Sequence, residues 1–225
     1  MLIVSQNLTN YEIDIPQDAI FRVNLAWINN LKELEVILGK HKSRKIFLDL
    51  PTNRTKPPSN KYNVDELVPI MKANQNIKYF AVSNINSRDD LEMYFNVIPK
   101  NIILIPKIES VEGVSNIKQI TDALGTTKII MFDHDDLYSS ILESKQPISK
   151  FLECFNSLAE HCNNHNVVLL RTIGVVFGDQ EKKITEYIGW KIENQNIDEI
   201  QKINSHLQAS EGLFKSFKQD KEAGF

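Results

Sequence analysis

Charged side chains follow short apolar runs at several points of this 225-residue chain. The clearest case is the segment IILIPKIES, in which Lys107 and Glu109 come directly after a fully apolar run. Because side chains alternate between the two faces of a strand, these two residues are expected on the same face. Glu109 there could bind a hard divalent cation, and Lys107 could neutralise an anionic substrate. A strand-end ion pair at the rim is the alternative interpretation.

An acidic cluster follows the next apolar run. Asp133, His134, Asp135 and Asp136 come directly after residues 128–132. Carboxylates from two adjacent strands form a suitable oxygen-ligand pair for Mg²⁺ or Mn²⁺, with water and substrate oxygens completing the octahedron. An acidic turn of this kind is also typical of a solvated helix start, and that alternative stays open.

Other apolar runs also end in polar residues, namely Arg22, Asn24, Asp49, Ser83, Arg171 and Thr172. One polar residue at a strand end carries little information, because every strand must stop. Repetition at six successive ends, with cations and carboxylates among them, indicates a shared site.

The elements that would position these residues alternate regularly. Apolar runs of strand length occur at residues 2–4, 19–25, 45–50, 78–83, 102–108, 128–132, 167–171 and 189–192, with helical periodicity between them. This alternation predicts parallel strands with crossover helices, and no Gly-rich phosphate-binding motif follows a strand. Eight strands in about 200 residues predict a compact α/β fold, a single (β/α)₈ TIM barrel with its site at the carboxyl ends of the strands. We place the barrel at residues 1–207 and a tail or terminal helix at residues 208–225.

The composition argues against several classes of protein. Lys+Arg 26 against Asp+Glu 29 leaves a formal net charge of −3 at pH 7, so there is no basic excess to bind nucleic acid or an anionic membrane. Two cysteines are too few for a disulfide framework, and no signal peptide or membrane-spanning run is recognised. We expect a cytoplasmic protein with a small-molecule partner, without nucleic acid or membrane.

Six segments resemble, in collinear order, the catalytic barrel of pyruvate kinase. KIESVEGVSN resembles that family's KIEN-x-EGV-x-N, and IIMFDHDDL resembles IMVARGDL. FRVNLAW, IFLDLP, AVSNINSRDDL and LLRTIG resemble the segments ARxNFSH, ALDTKGP, SFVRSAEDV and CATQM. The resemblance covers most of residues 1–175 and extends to the phosphoenolpyruvate/pyruvate barrel superfamily, including HpcH/HpaI-type aldolases and citrate lyase β-subunits.

The resemblance implies roles for the matching residues. Glu109 and Asp136 match the two carboxylates that bind the divalent metal. Lys107 matches the lysine beside the transferred phosphoryl group, and Arg22 matches the arginine that holds an anionic substrate group. Thr172 matches the threonine near the enolate carbon.

The same resemblance places two more residues near the substrate. Asn24 and Asp49 match residues around the kinase's monovalent cation. Together with Ser83 at its strand end and Arg22, they are the expected substrate-binding residues.

The departures from the kinase matter equally. Only the loop RTKPPSNKYN stands where the kinase has its nucleotide-covering domain, and no C-terminal regulatory domain is expected. Ala26 and Leu50 replace two hydroxyl residues of the kinase motifs. His134 and Asp135 replace the arginine and glycine of the RGDL turn, and the added acid repels phosphate, so we do not expect phosphoryl transfer to ADP.

The residues and the resemblance together predict a divalent-metal-dependent carbon–carbon lyase or aldolase. Its substrate would be a small 2-oxo acid, a 3-hydroxy acid or its thioester, cleaved through a metal-stabilised enolate. Arg22 and Lys107 would supply positive charge, and Thr172 or His134 would move the proton. The alternatives are a pyruvate-kinase-like barrel that has lost catalysis and serves as a binding or assembly subunit, and a phosphoenolpyruvate-using enzyme without ADP. Family barrels usually assemble, so a homo-oligomer is expected.

Overall fold

Seven strands form one all-parallel, curled sheet in this computed structural model, which describes residues 3–5, 17–52 and 60–171. The strands are β1 (Ile3–Ser5), β2 (Ile20–Asn24), β3 (Ile46–Leu50), β4 (Ile77–Val82), β5 (Ile103–Ile108), β6 (Ile129–Phe132) and β7 (Val168–Arg171). Each strand pairs with the next along the chain, without the reversal of strand order that marks a doubly wound sheet. The predicted α/β class and seven of the predicted strands are confirmed.

The predicted eighth strand at residues 189–192 lies outside the described residues, as do Thr172 and the predicted domain boundary after residue 207. Closure into a (β/α)₈ barrel therefore stays a prediction.

Helices connect the described strands from β2 onward. They are α1 (Leu31–Lys40), α2 (Val64–Ala73), α3 (Asp89–Val97), α4 (Val111–Ser115), α5 (Ile117–Ala123), α6 (His134–Glu143) and α7 (Ser149–Asn164), with a short 3₁₀ helix at Leu25–Trp27. None of the helices in the described ranges combines the length and the apolar character needed to cross a bilayer.

Four of these helices begin at a side-chain cap directly after the loop that leaves a strand. Asn30, Asn63, Ser110 and Asp133 each accept a hydrogen bond from the backbone N–H three residues further on. Such a bond satisfies one of the unpaired donors of the first helical turn and fixes where the helix begins. The caps hold the helix starts at the edge of the sheet where the strands end.

One face of the sheet carries an apolar cluster, made of Ile20, Phe47, Ala81, Ile105, Ile129, Met131 and Leu170. Steps of two residues along the same strands lead from this cluster to a polar layer, made of Arg22, Asp49, Ser83, Lys107 and Asp133. The two-residue period of a strand therefore places these polar side chains next to the apolar layer, toward the carboxyl ends.

The opposite face of the sheet is buried as well. Leu48 of β3 and Phe80 of β4 are fully buried there, and so are Leu34 and Leu38 of α1 and Leu67 of α2. Burial on both faces explains why the strands are continuous apolar runs in the sequence.

Candidate active site at the carboxyl ends of the strands

Arg22 and Asp49 form a bidentate contact between the neighbouring strands β2 and β3. Arg22 Nε donates to Asp49 Oδ2 at 3.0 Å, and Nη2 bonds the same oxygen. The Asp49 side chain is fully buried, whereas the Arg22 side chain is 15% exposed. Burial acts to lower the pKa of Arg22, but the charge and hydrogen bond of Asp49 outweigh it and raise the pKa. The pair therefore presents a fixed cation at the rim of the site.

Lys107, on β5, is a buried cation among carboxylates. Its Nζ lies 2.6 Å from Glu109 Oε1 and donates to Ser83 Oγ at 2.9 Å. The same nitrogen lies 3.8 Å from one oxygen each of Asp49 and Asp133. Burial acts to lower the pKa of Lys107, but the three carboxylates raise it well above its ordinary value. Lys107 is thus charged at any physiological pH.

The Glu109 carboxylate is held on both of its oxygens. Oε2 accepts the backbone N–H of Asn84 at 2.7 Å, and Oε1 accepts the Ser83 hydroxyl at 3.4 Å in addition to Lys107. Burial raises the pKa of Glu109, with a further contribution from the Asp133 charge, and Lys107 opposes the rise. The ionised form of Glu109 is therefore favoured by any additional positive charge nearby.

Three carboxylates converge beside this pair. One oxygen each of Glu109, Asp133 and Asp136 lies within 4.8 Å of the others. Ligand oxygens around one Mg²⁺ are at most about 4.2 Å apart, twice the usual bond length, so a small closure would gather all three on one ion. The three residues fit a hard divalent cation by donor type and by spacing.

The balance of charge at the site points the same way. Four carboxylates, those of Asp49, Glu109, Asp133 and Asp136, lie around only two cations, Arg22 and Lys107. With all of these groups ionised, the site carries two excess negative charges. One divalent cation would neutralise them.

Asp133 is the member of this cluster that was not among the metal ligands predicted from the sequence. The motif resemblance selected Asp136, which stands in the first turn of α6, while Asp133 is the N-cap of that helix. A signal for Asp133 was present, because it follows the core residue Met131 by one two-residue step. The structure brings the predicted ligands Glu109 and Asp136 together and adds Asp133 to them.

Three other predicted residues have different surroundings. The His134 ring is buried and packs edge-on against Phe132 at a centroid distance of 4.6 Å. Asn24 Oδ1 accepts the backbone N–H two residues on at 3.0 Å, and so caps the 3₁₀ helix after β2. Thr172 lies outside the described residues.

The sequence matches no protein-family model and no curated protein. Two solved structures resemble the fold. RipC from Yersinia pestis matches with a TM-score of 0.53 and 14% identity, over 82% of this chain and 80% of that chain. Citrate synthase SbnG matches with a TM-score of 0.52 and 14% identity, over 89% of this chain and 85% of that chain. At this identity the likeness shows the fold alone.

Proposed function

We propose that this protein is a divalent-cation-dependent enzyme that breaks or forms a carbon–carbon bond in a small 2-oxo acid, 3-hydroxy acid or its thioester. The observation that carries the proposal is the convergence of the carboxylates of Glu109, Asp133 and Asp136 beside Lys107 and Arg22. They meet at the carboxyl ends of parallel strands, where barrel enzymes bind their substrates. The similarly folded SbnG is a citrate synthase, which is consistent with carbon–carbon chemistry on a small acid.

The wider setting of the proposal follows the sequence. It includes a closed barrel over residues 1–207, completed by a strand at residues 189–192, in the phosphoenolpyruvate/pyruvate superfamily. It also includes assembly into a homo-oligomer in the cytoplasm.

Glu109, Asp133 and Asp136 would hold Mg²⁺ or Mn²⁺. When bound, the ion supplies electrostatic stabilisation of negative charge on the substrate oxygen at the reacting centre. The two excess negative charges of the site favour a divalent over a monovalent cation.

Arg22 would bind and orient the substrate carboxylate. A guanidinium group has five N–H donors, and the bonds to Asp49 are made by Nε and Nη2. The donors that do not face Asp49 remain for an anionic group at the exposed side of Arg22. Because Asp49 fixes the guanidinium plane, the substrate meets a preorganised donor pair.

Lys107 would act as a fixed positive charge and not as a base, because its raised pKa keeps it protonated. Ser83 and Glu109 hold its ammonium in place, so it can stabilise charge that develops on the substrate without reorganising. Proton transfer at the carbon atom is assigned to Thr172 or His134.

A barrel that has lost catalysis and serves as a binding or assembly subunit is the second candidate. The observation in its favour is that Lys107 already neutralises Glu109 at 2.6 Å, as an internal substitute for a bound cation. In that case neither a metal nor a substrate would be required.

Calorimetry with Mn²⁺ tests the proposal on the wild type, Glu109→Gln and the control Glu92→Gln, which changes an exposed carboxylate of α3. We expect the control to bind like the wild type and Glu109→Gln to lose most of the affinity. A panel of 2-oxo acids, 3-hydroxy acids and thioesters with Mn²⁺ should then reveal one substrate that is cleaved. Equal affinity in all three proteins removes the metal site, and an inert panel despite Mn²⁺ binding favours the second candidate.

A further inference from the structure

The loop of residues 83–86, which follows β4, supplies a backbone donor to the site. Asn84 has φ 57, in the left-handed region that asparagine tolerates better than most residues. In this conformation its N–H donates to Glu109 Oε2 at 2.7 Å, while its side-chain Nδ2 donates to the backbone oxygen of Thr52 at 2.7 Å. One side of the 83–86 loop is thereby tied to the segment after β3.

Helix α4 holds the other side of the 83–86 loop. A Cβ atom on Gly113 would lie 2.7 Å from the backbone oxygen of Ile85, closer than two such atoms can approach. Asn116 Nδ2 donates to the backbone oxygen of Asn86 at 2.9 Å, and the Ser110 hydroxyl donates to Asn86 Oδ1. The absence of a side chain at Gly113 is therefore what lets α4 rest directly on the loop backbone.

The direction of the Glu109 lone pairs depends on this arrangement. Lys107 holds Oε1 and the Asn84 N–H holds Oε2, and hydrogen bonds to a charged carboxylate are short and directional. A shift of the loop by a few tenths of an ångström would rotate or release Oε2. The oxygen that faces Asp133 and Asp136 would move with it.

We infer that Gly113 and Asn116 are positioning residues that set the Glu109 carboxylate through the 83–86 loop. They touch neither a substrate nor a cation and act only through the Asn84 N–H. The consequence for cation binding rests on the proposed function, whereas the coupling between α4 and the Asn84 N–H does not.

The experiment compares Gly113→Ala with Gly39→Ala. Gly39 also lies in a helix, α1, but a Cβ atom there would have nothing within 4 Å. The first measurement is the position of the Asn84 amide resonance in metal-free protein labelled with nitrogen-15 asparagine, with Glu109→Ala defining the shift caused by loss of the carboxylate. The second measurement is the Mn²⁺ affinity.

We expect Gly113→Ala to move the Asn84 amide toward its position in Glu109→Ala and to weaken Mn²⁺ binding about tenfold, the usual effect of losing a partner of a metal ligand. Gly39→Ala should change neither quantity. Asn116→Ala, which removes one side-chain bond at a partly buried position, should show the same effects in smaller size and carries the test if Gly113→Ala does not fold.

Two results separate the inference from the proposed function. If Gly113→Ala and Asn116→Ala leave the Asn84 amide where it is in the wild type, the inference is overturned, whatever the Mn²⁺ affinity. If the amide moves as expected but the wild type binds no Mn²⁺, the positioning role stands and the proposed metal site fails.

Discussion

Lys107 Nζ and Glu109 Oε1 meet at 2.6 Å in the interior, although the two residues stand only two positions apart at the end of one strand. Lys107 also serves Asp49 and Asp133, so a single ammonium offsets three carboxylates. Removing one partner of a buried ionic group leaves the others without compensation. The stability of the metal-free protein and its affinity for a cation therefore depend on the same side chain.

Lys107→Met should lower the free energy of unfolding by about 3–5 kcal/mol, because the carboxylates around Lys107 lose their counter-charge. Addition of Mn²⁺ should restore part of this loss, since the ion replaces the missing positive charge. Urea unfolding with and without Mn²⁺ measures both effects. Lys150→Met, which breaks an exposed pair with Glu153, is the control and should show no Mn²⁺-dependent recovery. A Lys107→Met protein as stable as the wild type would contradict the prediction.

Asp133 has two separable roles, as the cap of α6 and as a carboxylate of the cluster. Asp133→Asn keeps a capping oxygen but loses the charge, whereas Asp133→Ala loses both. We expect both variants to bind Mn²⁺ more weakly, and only Asp133→Ala to lose about 0.5–1 kcal/mol of stability through the cap. Calorimetry and urea unfolding measure the two quantities. Unchanged Mn²⁺ affinity in Asp133→Asn would limit Asp133 to its capping role.

The glycines of α1 and α4 should respond oppositely to alanine. Gly39→Ala should stabilise the protein by about 0.5–1 kcal/mol, because alanine loses less backbone entropy in a helix and the site is open. Gly113→Ala should destabilise it by about 1–3 kcal/mol, because the added methyl group collides with backbone at Ile85. Thermal unfolding of the two variants checks the signs, and a stabilised Gly113→Ala would show that α4 can move away freely.

His161 on α7 should make stability depend on pH. Burial lowers the pKa of His161 below 6.5, His165 adds to the lowering, and Asp122 opposes it. Lys118 and Lys128 also favour the neutral ring, which contacts Thr121 Oγ1 through Nε2 at 2.9 Å.

Because the unfolded chain then binds a proton more readily than the folded one, the stability from His161 is present above pH 6.5 and is lost as the pH falls through the lowered pKa. Urea unfolding between about pH 7.5 and about pH 5 should show a steeper loss for the wild type than for His161→Gln. Parallel curves for the two proteins would refute this.

Both cysteines should be inert in the folded protein. Burial raises the pKa of Cys162 to about 12 and also raises the pKa of Cys154, so little of the reactive thiolate forms at neutral pH. A thiol reagent should label them only as urea unfolds the chain. Rapid labelling of either residue in native buffer would show that α7 opens readily.

The strands could be predicted to within one residue at each end, from β1 to β7, because a parallel strand buried on both faces is a continuous apolar run. Helix α4 could not, since its five residues are too few to show a hydrophobic period. The shared face of Lys107 and Glu109 follows directly from the two-residue period of a strand.

Other parts of the site have no signature in the sequence. The donor at Asn84 is a backbone N–H, which every residue except proline carries, and only the fold places it on Glu109. The separate capping role of Asp133 obscured its place in the cluster, because an acidic residue before a helix already has a sufficient local explanation.

The uniform direction of the strands divides the surface into two unequal halves. Turns at residues 41–45, 98–102 and 124–128 enter β3, β5 and β6 from the amino-terminal edge, opposite the carboxylates. Extra residues, an affinity tag or a fluorescent reporter inserted there should be accommodated without disturbing chemistry on the far side. Changes in length just after β4, β5 or β6 would alter reactivity directly, so new substrate preferences would arise from that half of the molecule.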